Sequence, residues 1–438
     1  MGRALFGTDG VRGVAGEFLT AELALGLGRA ATAASPAEAP QVLIVRDTRE
    51  SGDMLEAALA AGVAAAGGHA LIGGVLPTPG AALLTRRYGL DLAAVVSASH
   101  NSYEDNGIKF FGPDGTKLDD GEESRIEELT ESPPQPPATM GRVRELHGAG
   151  GDYVRELELR FRDLDLSGRR ILLDCANGAT WRVAPEIFRR LGAEVDAVAV
   201  EPDGRNINAG CGSTHVEELA PRVTEGGYDE GFAFDGDGDR LLAVDRTGAV
   251  VDGDELMALA ALHLRGRDRL PGDGVAVTVM TNFGFHQAMR DVGIEVATTP
   301  VGDRYVLAEL LERGWALGGE QSGHIIDTGF VPAGDGVAAA LLTLEALGEG
   351  DLAGRDAMRK LPQRLVNVRV RDREALEGAA AVWEAVEQEA RGLDGRGRVL
   401  VRPSGTEPLV RVMVEAPEED ECRTIVERLV KTVESELG

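Results

Sequence analysis

Along the first third of the chain, short apolar runs alternate with segments whose apolar residues recur every three or four positions. Residues 20–33 carry the helical period, Val42-Leu43-Ile44-Val45 is an uninterrupted apolar run, and residues 53–66 are helical again. Residues 71–75 and 93–97 predict two further strands. Short, continuously apolar strands separated by helices are the pattern of βαβ units, whose sheets are mainly parallel and covered on both faces. The run Ser132-Pro133-Pro134-Gln135-Pro136-Pro137 interrupts the alternation and predicts a surface connection.

A second αβ run follows, with a strand at 171–173, a helix at 184–191 and a strand at 195–200. Two more strands, 232–234 and 241–244, flank an acidic loop. A third run has a helix over 253–262, a strand at 275–279 and helices at 285–291 and 305–312. After Pro362 the character changes: 365–370 alternates, a long helix is predicted over 375–390, and strands at 399–402 and 410–414 precede a closing helix. The expected class is therefore α/β: three α/β domains with mixed, mainly parallel sheets and a C-terminal α+β domain. The expected boundaries are 1–148, 149–252, 253–362 and 363–438, with no clear internal repeat.

Composition narrows the function. A length of 438 residues suits two to four domains. The formal charge is −28, a field that repels nucleic acid and anionic membranes, so neither is an expected partner. The same field opposes a phosphorylated substrate, so any such ligand needs basic residues gathered locally. Lysine is confined to Lys109, Lys117, Lys360 and Lys431, a bias that fits a GC-rich genome or a salt-adapted host. Three cysteines, Cys175, Cys211 and Cys422, are an odd number without metal-ligand spacing and read as reduced thiols of a cytoplasmic protein. The first residues lack the apolar core of a signal peptide, and residues 57–76 read as a helix and a strand of core, not a membrane span. Monomer and homodimer both remain open.

Five short segments carry chemistry. Asp235-Gly236-Asp237-Gly238-Asp239-Arg240 follows a strand, and its alternate carboxylates can turn toward one hard cation. The calcium EF-hand pattern fails, because Arg240 and Arg246 stand where that loop needs Gly and Glu. Ser97-Ala98-Ser99-His100-Asn101 also follows a strand and offers a nucleophile or phosphoryl carrier; a turn with local hydrogen bonds would use the same residues. No Gly-x-Ser-x-Gly elbow surrounds it. Arg402-Pro403-Ser404-Gly405-Thr406-Glu407-Pro408, with Arg411, suits a phosphate dianion but lacks the ending of a nucleotide P-loop. Glu320-Gln321-Ser322-Gly323-His324 supplies donors and acceptors for sugar hydroxyls, and Gly7-Thr8-Asp9-Gly10-Val11-Arg12-Gly13 can bring Arg12 close to a site.

Together, in this order and at these separations, the five segments resemble the motif set of the α-D-phosphohexomutase superfamily, from Phe6 to Arg411. The wording of Asp105-Asn106-Gly107-Ile108-Lys109-Phe110-Phe111 and Asp174-Cys175-Ala176-Asn177-Gly178-Ala179, with Gln at position 321, is most similar to the branch acting on glucosamine phosphates. The sister branch acting on glucose or mannose phosphates is the alternative. A metal-dependent sugar phosphatase and a catalytically silent sugar-phosphate-binding protein are the readings outside the family's chemistry. The resemblance implies four domains around a central cleft, and interconversion of glucosamine 6-phosphate and glucosamine 1-phosphate. A phosphoserine at Ser99 would carry the phosphoryl group, with a sugar 1,6-bisphosphate as intermediate and activator. One Mg²⁺ per chain would be held by a Ser99 phosphate oxygen with Asp235, Asp237 and Asp239. Lys109, Arg12, His100 and Arg240 would stabilise the transferring group or move protons. Asp303 and Arg304 would read the sugar's orientation, and Glu320, Ser322 and His324 would grip it. Arg402, Ser404, Gly405, Thr406 and Arg411 would hold the non-reacting phosphate. Ser102 stands where the family often has proline, so the resemblance implies a slightly looser loop after Asn101.

Overall fold

The computed structural model describes residues 5–7, 9–135, 137–404 and 407–438. By contact the chain divides into two compact units, Met1–Val279 with Ala297–Arg355, and Met280–Val296 with Asp356–Gly438. Among the described residues, no helix is long and apolar enough to cross a membrane.

Three sheets build the first unit. The first has six strands in the spatial order Val11–Val14, Asp105–Phe111, Leu92–Val96, Gln41–Arg46, His69–Val75 and Val143–Glu145. The strands Gln41–Arg46, Leu92–Val96, His69–Val75 and Val143–Glu145 run parallel, whereas Asp105–Phe111 is antiparallel to both its neighbours. Helices Ala21–Ala34 and Gly52–Ala65 pack on this sheet and on each other. Their contact needs glycine, because a Cβ on Gly62 would lie 2.2 Å from Leu25 O. Thr20 caps the first helix by accepting the Leu23 N–H.

In the second sheet, Arg170–Asp174 lies between the parallel strands Glu194–Val198 and Glu230–Phe234. Glu230–Phe234 then pairs antiparallel with Leu241–Asp245, so residues 235–240 form the connection at its carboxyl end. The predicted strand at 195–200 ends at Val198, because Ala199 turns to a left-handed φ of 52°. In the third sheet, Leu317–Gly319 is parallel to Gly274–Thr278 and antiparallel to Ile325–Asp327, which places Glu320–His324 on a hairpin. The acidic loop and the segment after Leu92–Val96 both leave the carboxyl ends of strands, where open α/β sheets gather their ligands.

Helix Gly336–Leu347 begins at Asp335, whose Oδ1 accepts the Ala338 N–H at 2.9 Å and the Tyr153 hydroxyl at 2.8 Å. Burial pushes the Asp335 carboxyl up to about 6, against the hydrogen bonds that favour its charge. The folded state therefore holds this proton more tightly than the unfolded chain, whose carboxyl titrates near 4. Wild type should lose stability relative to Asp335→Asn as pH rises from about 4 to about 6, by about 2 kcal/mol, with no further change above that. Paired chemical denaturation at pH 4 and pH 7 measures it, and a pH-independent difference would contradict the assignment.

The second unit holds an antiparallel sheet in the order Gln363–Arg369, Leu409–Glu415, Arg398–Pro403. Helices Ala380–Leu393 and Glu419–Leu437 pack against it through a core that includes Val382, Val412 and Val433. The single long helix predicted over 375–390 is corrected: Glu374–Gly378 is a 3₁₀ turn and the α-helix starts at Ala380. Ala379 between them has ψ 78°, and the Trp383 indole N–H donates to Leu376 O, fixing the tighter turn. Helix Phe283–Val292 belongs to this unit as well. Asn282 donates to Leu361 O and accepts from Leu361 N, both at 3.0 Å, and Arg398 donates to Thr281 O.

Candidate active site

Ser99 lies just past strand Leu92–Val96, is 1% exposed, and has a left-handed φ of 52°. Side chains with β-carbons avoid that region, so the turn must be held by its neighbours. The Ser99 N–H donates to Ser97 Oγ at 2.9 Å, and Ser97 Oγ donates to Asp47 Oδ2 at 2.6 Å. The turn aims the Ser99 hydroxyl out of the first sheet toward the second, where it donates to Asp235 Oδ2 at 2.5 Å. Gly236 permits this approach, because a Cβ there would lie 2.5 Å from Ser99 O. His100 Nδ1 stands 3.3 Å from the same hydroxyl. Burial, then Arg240 and Arg12, hold the His100 ring below its ordinary pKa.

Asp235, Asp237 and Asp239 are 0%, 1% and 5% exposed, and one oxygen of each lies within 4.8 Å of the others. Burial and the Asp239 and Asp237 charges push the Asp235 carboxyl well up. Burial also works to raise Asp239, but His324, Lys109 and Arg240 outweigh it and hold that carboxyl well below the usual range. Asp237 Oδ1 and Asp239 Oδ1 are buried and accept no hydrogen bond from the described residues. Such oxygens are costly unless something satisfies them. Three convergent carboxylates beside a serine hydroxyl, two of them with an oxygen that accepts no hydrogen bond from the described residues, fit a hard divalent cation.

Cations surround the triad. Lys109 Nζ is 2.7 Å from Asp237 Oδ2, 3.5 Å from Asp9 and 3.8 Å from Asp239. Burial would lower its pKa, but those three carboxylates raise it strongly. Arg240 donates its backbone N–H to Asp235 Oδ1 at 3.2 Å, and its Nε is 3.9 Å from Asp239. Arg12 donates to Ala98 O and pairs with Asp9, which also receives Lys117. Four basic residues, Lys109, Lys117, Arg12 and Arg240, are thus gathered at one place in a −28 chain, each beside a carboxylate.

The other predicted residues are distributed as follows. His324 Nδ1 is 3.7 Å from Asp239 and Nε2 is 3.7 Å from Asp303. Burial disfavours its charge, yet Asp239, Asp303 and Glu320 raise its pKa; Gly334 N–H donates to Nε2 only while that nitrogen is unprotonated. Asp303 accepts from Lys117 at 2.5 Å, and Glu320 accepts the Gly302 N–H at 3.1 Å. Arg304 pairs with Asp120 and Glu123, and Ser322 is exposed. A cavity of about 660 Å³ is lined by Asp239, His324, Asp303, Arg304 and Lys117 together with apolar side chains such as Phe111. In the second unit, Arg402 and Arg411 are partners across two strands, and the buried Arg411 Nε–H finds no acceptor among the described residues. Ser404 accepts the Glu407 N–H. Gly405 and Thr406 lie outside the described residues.

Sequence reading missed Asp9, Asp47, Arg49, Thr78, Lys117 and Asn208. Thr78 donates to Asp237 Oδ2 at 2.6 Å, and Asn208 donates to Ser99 O at 2.9 Å. In the loop after Asn101, Arg49 also donates to the Ser102 carbonyl. Asp47-Thr48-Arg49 follows the strand Gln41–Arg46, and that position was the one available signal.

Comparison with known proteins places this geometry in context. Four models of phosphoglucomutase/phosphomannomutase domains match: domain I over residues 3–136, domain II over 151–248, domain III over 252–365 and the C-terminal domain over 365–432. The chain is 52% identical to a phosphoglucosamine mutase of Desulforudis audaxviator, covering 98% of each chain. It is 47% identical to one of Pseudomonas fluorescens, covering 99% of each. In fold it is similar to a phosphoglucomutase/phosphomannomutase family protein of Burkholderia thailandensis, at TM-score 0.81, 24% identity and coverage of 97% and 96%. It is also similar to an Aspergillus fumigatus N-acetylphosphoglucosamine mutase in complex with GlcNAc-6P and magnesium, at TM-score 0.70, 17% identity and coverage of 99% and 96%.

Proposed function

Because the chain belongs to the phosphoglucomutase/phosphomannomutase family, within the α-D-phosphohexomutase superfamily, we propose that it interconverts glucosamine 6-phosphate and glucosamine 1-phosphate. The carrying observation is the Ser99 hydroxyl, 2.5 Å from Asp235 at the edge of a buried carboxylate triad. Full-length relatives at about half identity support the amino-sugar substrate.

Phosphoserine at Ser99 would give its phosphoryl group to the C1 hydroxyl of glucosamine 6-phosphate. The Oγ–P bond breaks as the O1–P bond forms, and the hydroxyl proton must leave. That proton is balanced at the departing Ser99 Oγ, which must be protonated as its bond to phosphorus breaks, and His100 Nδ1, 3.3 Å from that oxygen, is placed to deliver a proton there. The resulting 1,6-bisphosphate turns over and returns its 6-phosphate to Ser99. Asp235, Asp237 and Asp239, with a Ser99 phosphate oxygen, would hold one Mg²⁺, which when bound offsets negative charge on the transferring group. Lys109, Arg12 and Arg240 bring fixed positive charge to the same place at no reorganisation cost. Glu320, Ser322, His324, Asp303 and Arg304 would orient the sugar. Arg402, Ser404, Gly405, Thr406 and Arg411 would take its distal phosphate. We divide the chain at 1–148, 149–252, 253–362 and 363–438.

The test is interconversion with Mg²⁺ and a trace of sugar 1,6-bisphosphate, comparing glucosamine, glucose and mannose 6-phosphates while following free phosphate. Glucosamine 6-phosphate should give the highest kcat/KM, with no phosphate release. Preference for glucose or mannose would move the chain to the sister branch. Stoichiometric phosphate release would make it a phosphatase.

A further inference from the structure

Arg49 is a fully buried arginine outside every segment discussed as catalytic, and the donors of both its terminal nitrogens converge on the turn of residues 99–105. Its Nε donates to Asp47 Oδ2 at 2.8 Å, and both side chains are 0% exposed. One terminal nitrogen donates to Ser99 O and Asn101 O, each at 2.9 Å. The other donates to Asp105 O at 2.9 Å and to Ser102 O. A guanidinium carries five N–H donors in a rigid fork, so none is left over here. Asp47 orients that fork and, through Ser97 Oγ, also fixes the Ser99 N–H. Asn208, from the second sheet's loops, donates to the same Ser99 and Asn101 carbonyls at 2.9 Å and 3.1 Å. Both polar groups of the Ser99 peptide backbone are thereby tied, at a residue whose φ of 52° needs such support.

We propose that Arg49 is a positioning residue for phosphoryl transfer: it holds the residue 99–105 turn so that Ser99 Oγ, and the phosphate it carries, stays registered on the Asp235 triad. This rests on the mutase reading above. A lysine in its place keeps a cation opposite Asp47 but is a point charge that cannot fork across four carbonyls. The turn is then free to relax from its left-handed conformation, and a displacement of about 1 Å at a reacting atom costs on the order of 100-fold in rate.

The experiment follows Ser99 phosphorylation directly. Dephosphorylated protein is mixed with Mg²⁺ and glucose 1,6-bisphosphate, and the mass of the intact chain is recorded over time. In this step a sugar O–P bond breaks, the Oγ–P bond forms, and the Oγ proton passes to the departing sugar oxygen. In Arg49→Lys the rate should fall about 100-fold, with kcat falling in parallel and KM for the sugar phosphate staying within about threefold. Arg49→Ala leaves a guanidinium-sized space, so guanidinium added at concentrations that leave the variant's Tm unchanged should restore phosphorylation, a rescue of rate without rescue of stability that a merely structural role would not give. If Arg49→Ala does not fold, Asn208→Ala removes two of the shared donors without disturbing Asp47, and should slow phosphorylation less than Arg49→Lys. A folded Arg49→Lys that takes up phosphate at the wild-type rate overturns the inference alone. A wild-type chain that takes up none overturns the mutase reading and the inference with it.

Discussion

Ser99→Ala should lower mutase turnover by at least about 10⁴-fold while the folded structure persists, because removing a covalent carrier removes the route and not merely one contact. No neighbour can substitute. Ser97 Oγ is committed to Asp47 and to the Ser99 N–H, and His100 Nδ1 stands beside Ser99 Oγ rather than in its place against Asp235. The fold should survive for a reason equally visible in the hydrogen bonds. Arg49 and Asn208 hold Ser99 by its carbonyl and Ser97 holds it by its N–H, so these contacts do not depend on the side chain. What alanine removes is the donor to Asp235 Oδ2. Asp235 already has a raised pKa, so proton uptake or a bound cation can compensate for that loss. The variant should therefore melt within a few degrees of wild type and gain no mass from sugar bisphosphate. Residual turnover above about 1% would remove Ser99 as the carrier.

The legible parts of this site were contiguous ones. Three aspartates on alternate positions after an apolar strand announce a cation loop, and a Ser-His pair after another strand announces a carrier. Their meeting was not legible as physics, since Ser99 and Asp235 are 136 residues apart and only the family's pattern linked them. The residues that support them leave no trace in sequence spacing. Arg49 works through main-chain carbonyls, which every residue has, and Lys117 joins Asp303 across 186 residues. The strand Asp105–Phe111 illustrates the converse. It is core on both sides, yet Asn106 and Lys109 interrupt its apolar run, so the period was broken by the residues the site requires. That strand, antiparallel to both its neighbours, is what makes the first sheet mixed, as expected for this class. In the second unit all three strands were placed, the first of them by its alternation, while the 3₁₀ turn ahead of Ala380 was lost because the period of a tight turn resembles that of a helix.

Lys109→Met should destabilise the metal-free protein by about 3–5 kcal/mol, the usual cost of removing one partner from a buried charged group. Methionine fills similar volume, so the loss is electrostatic: Asp237, Asp9 and Asp239 would face each other without their shared ammonium. The pH dependence follows from the shifts. Lys109 has a raised pKa, so its contribution is complete below its unfolded value near 10.4 and the gap between wild type and variant should be flat from pH 7 to 9. Asp9 and Asp239 have lowered pKa values, so their share is present above about pH 4 and fades as pH falls further toward their folded values. The gap should therefore narrow in acid. A divalent cation on the triad would replace part of the missing charge, so Mg²⁺ should raise the variant's Tm by more than it raises the wild type's. Turnover is the part Mg²⁺ should not restore, falling by about 10²–10³-fold, since a fixed charge aimed at the transferring group is lost. Equal Mg²⁺ stabilisation of both proteins, with a gap under about 1 kcal/mol, would mean that the lysine and the triad are not one electrostatic unit.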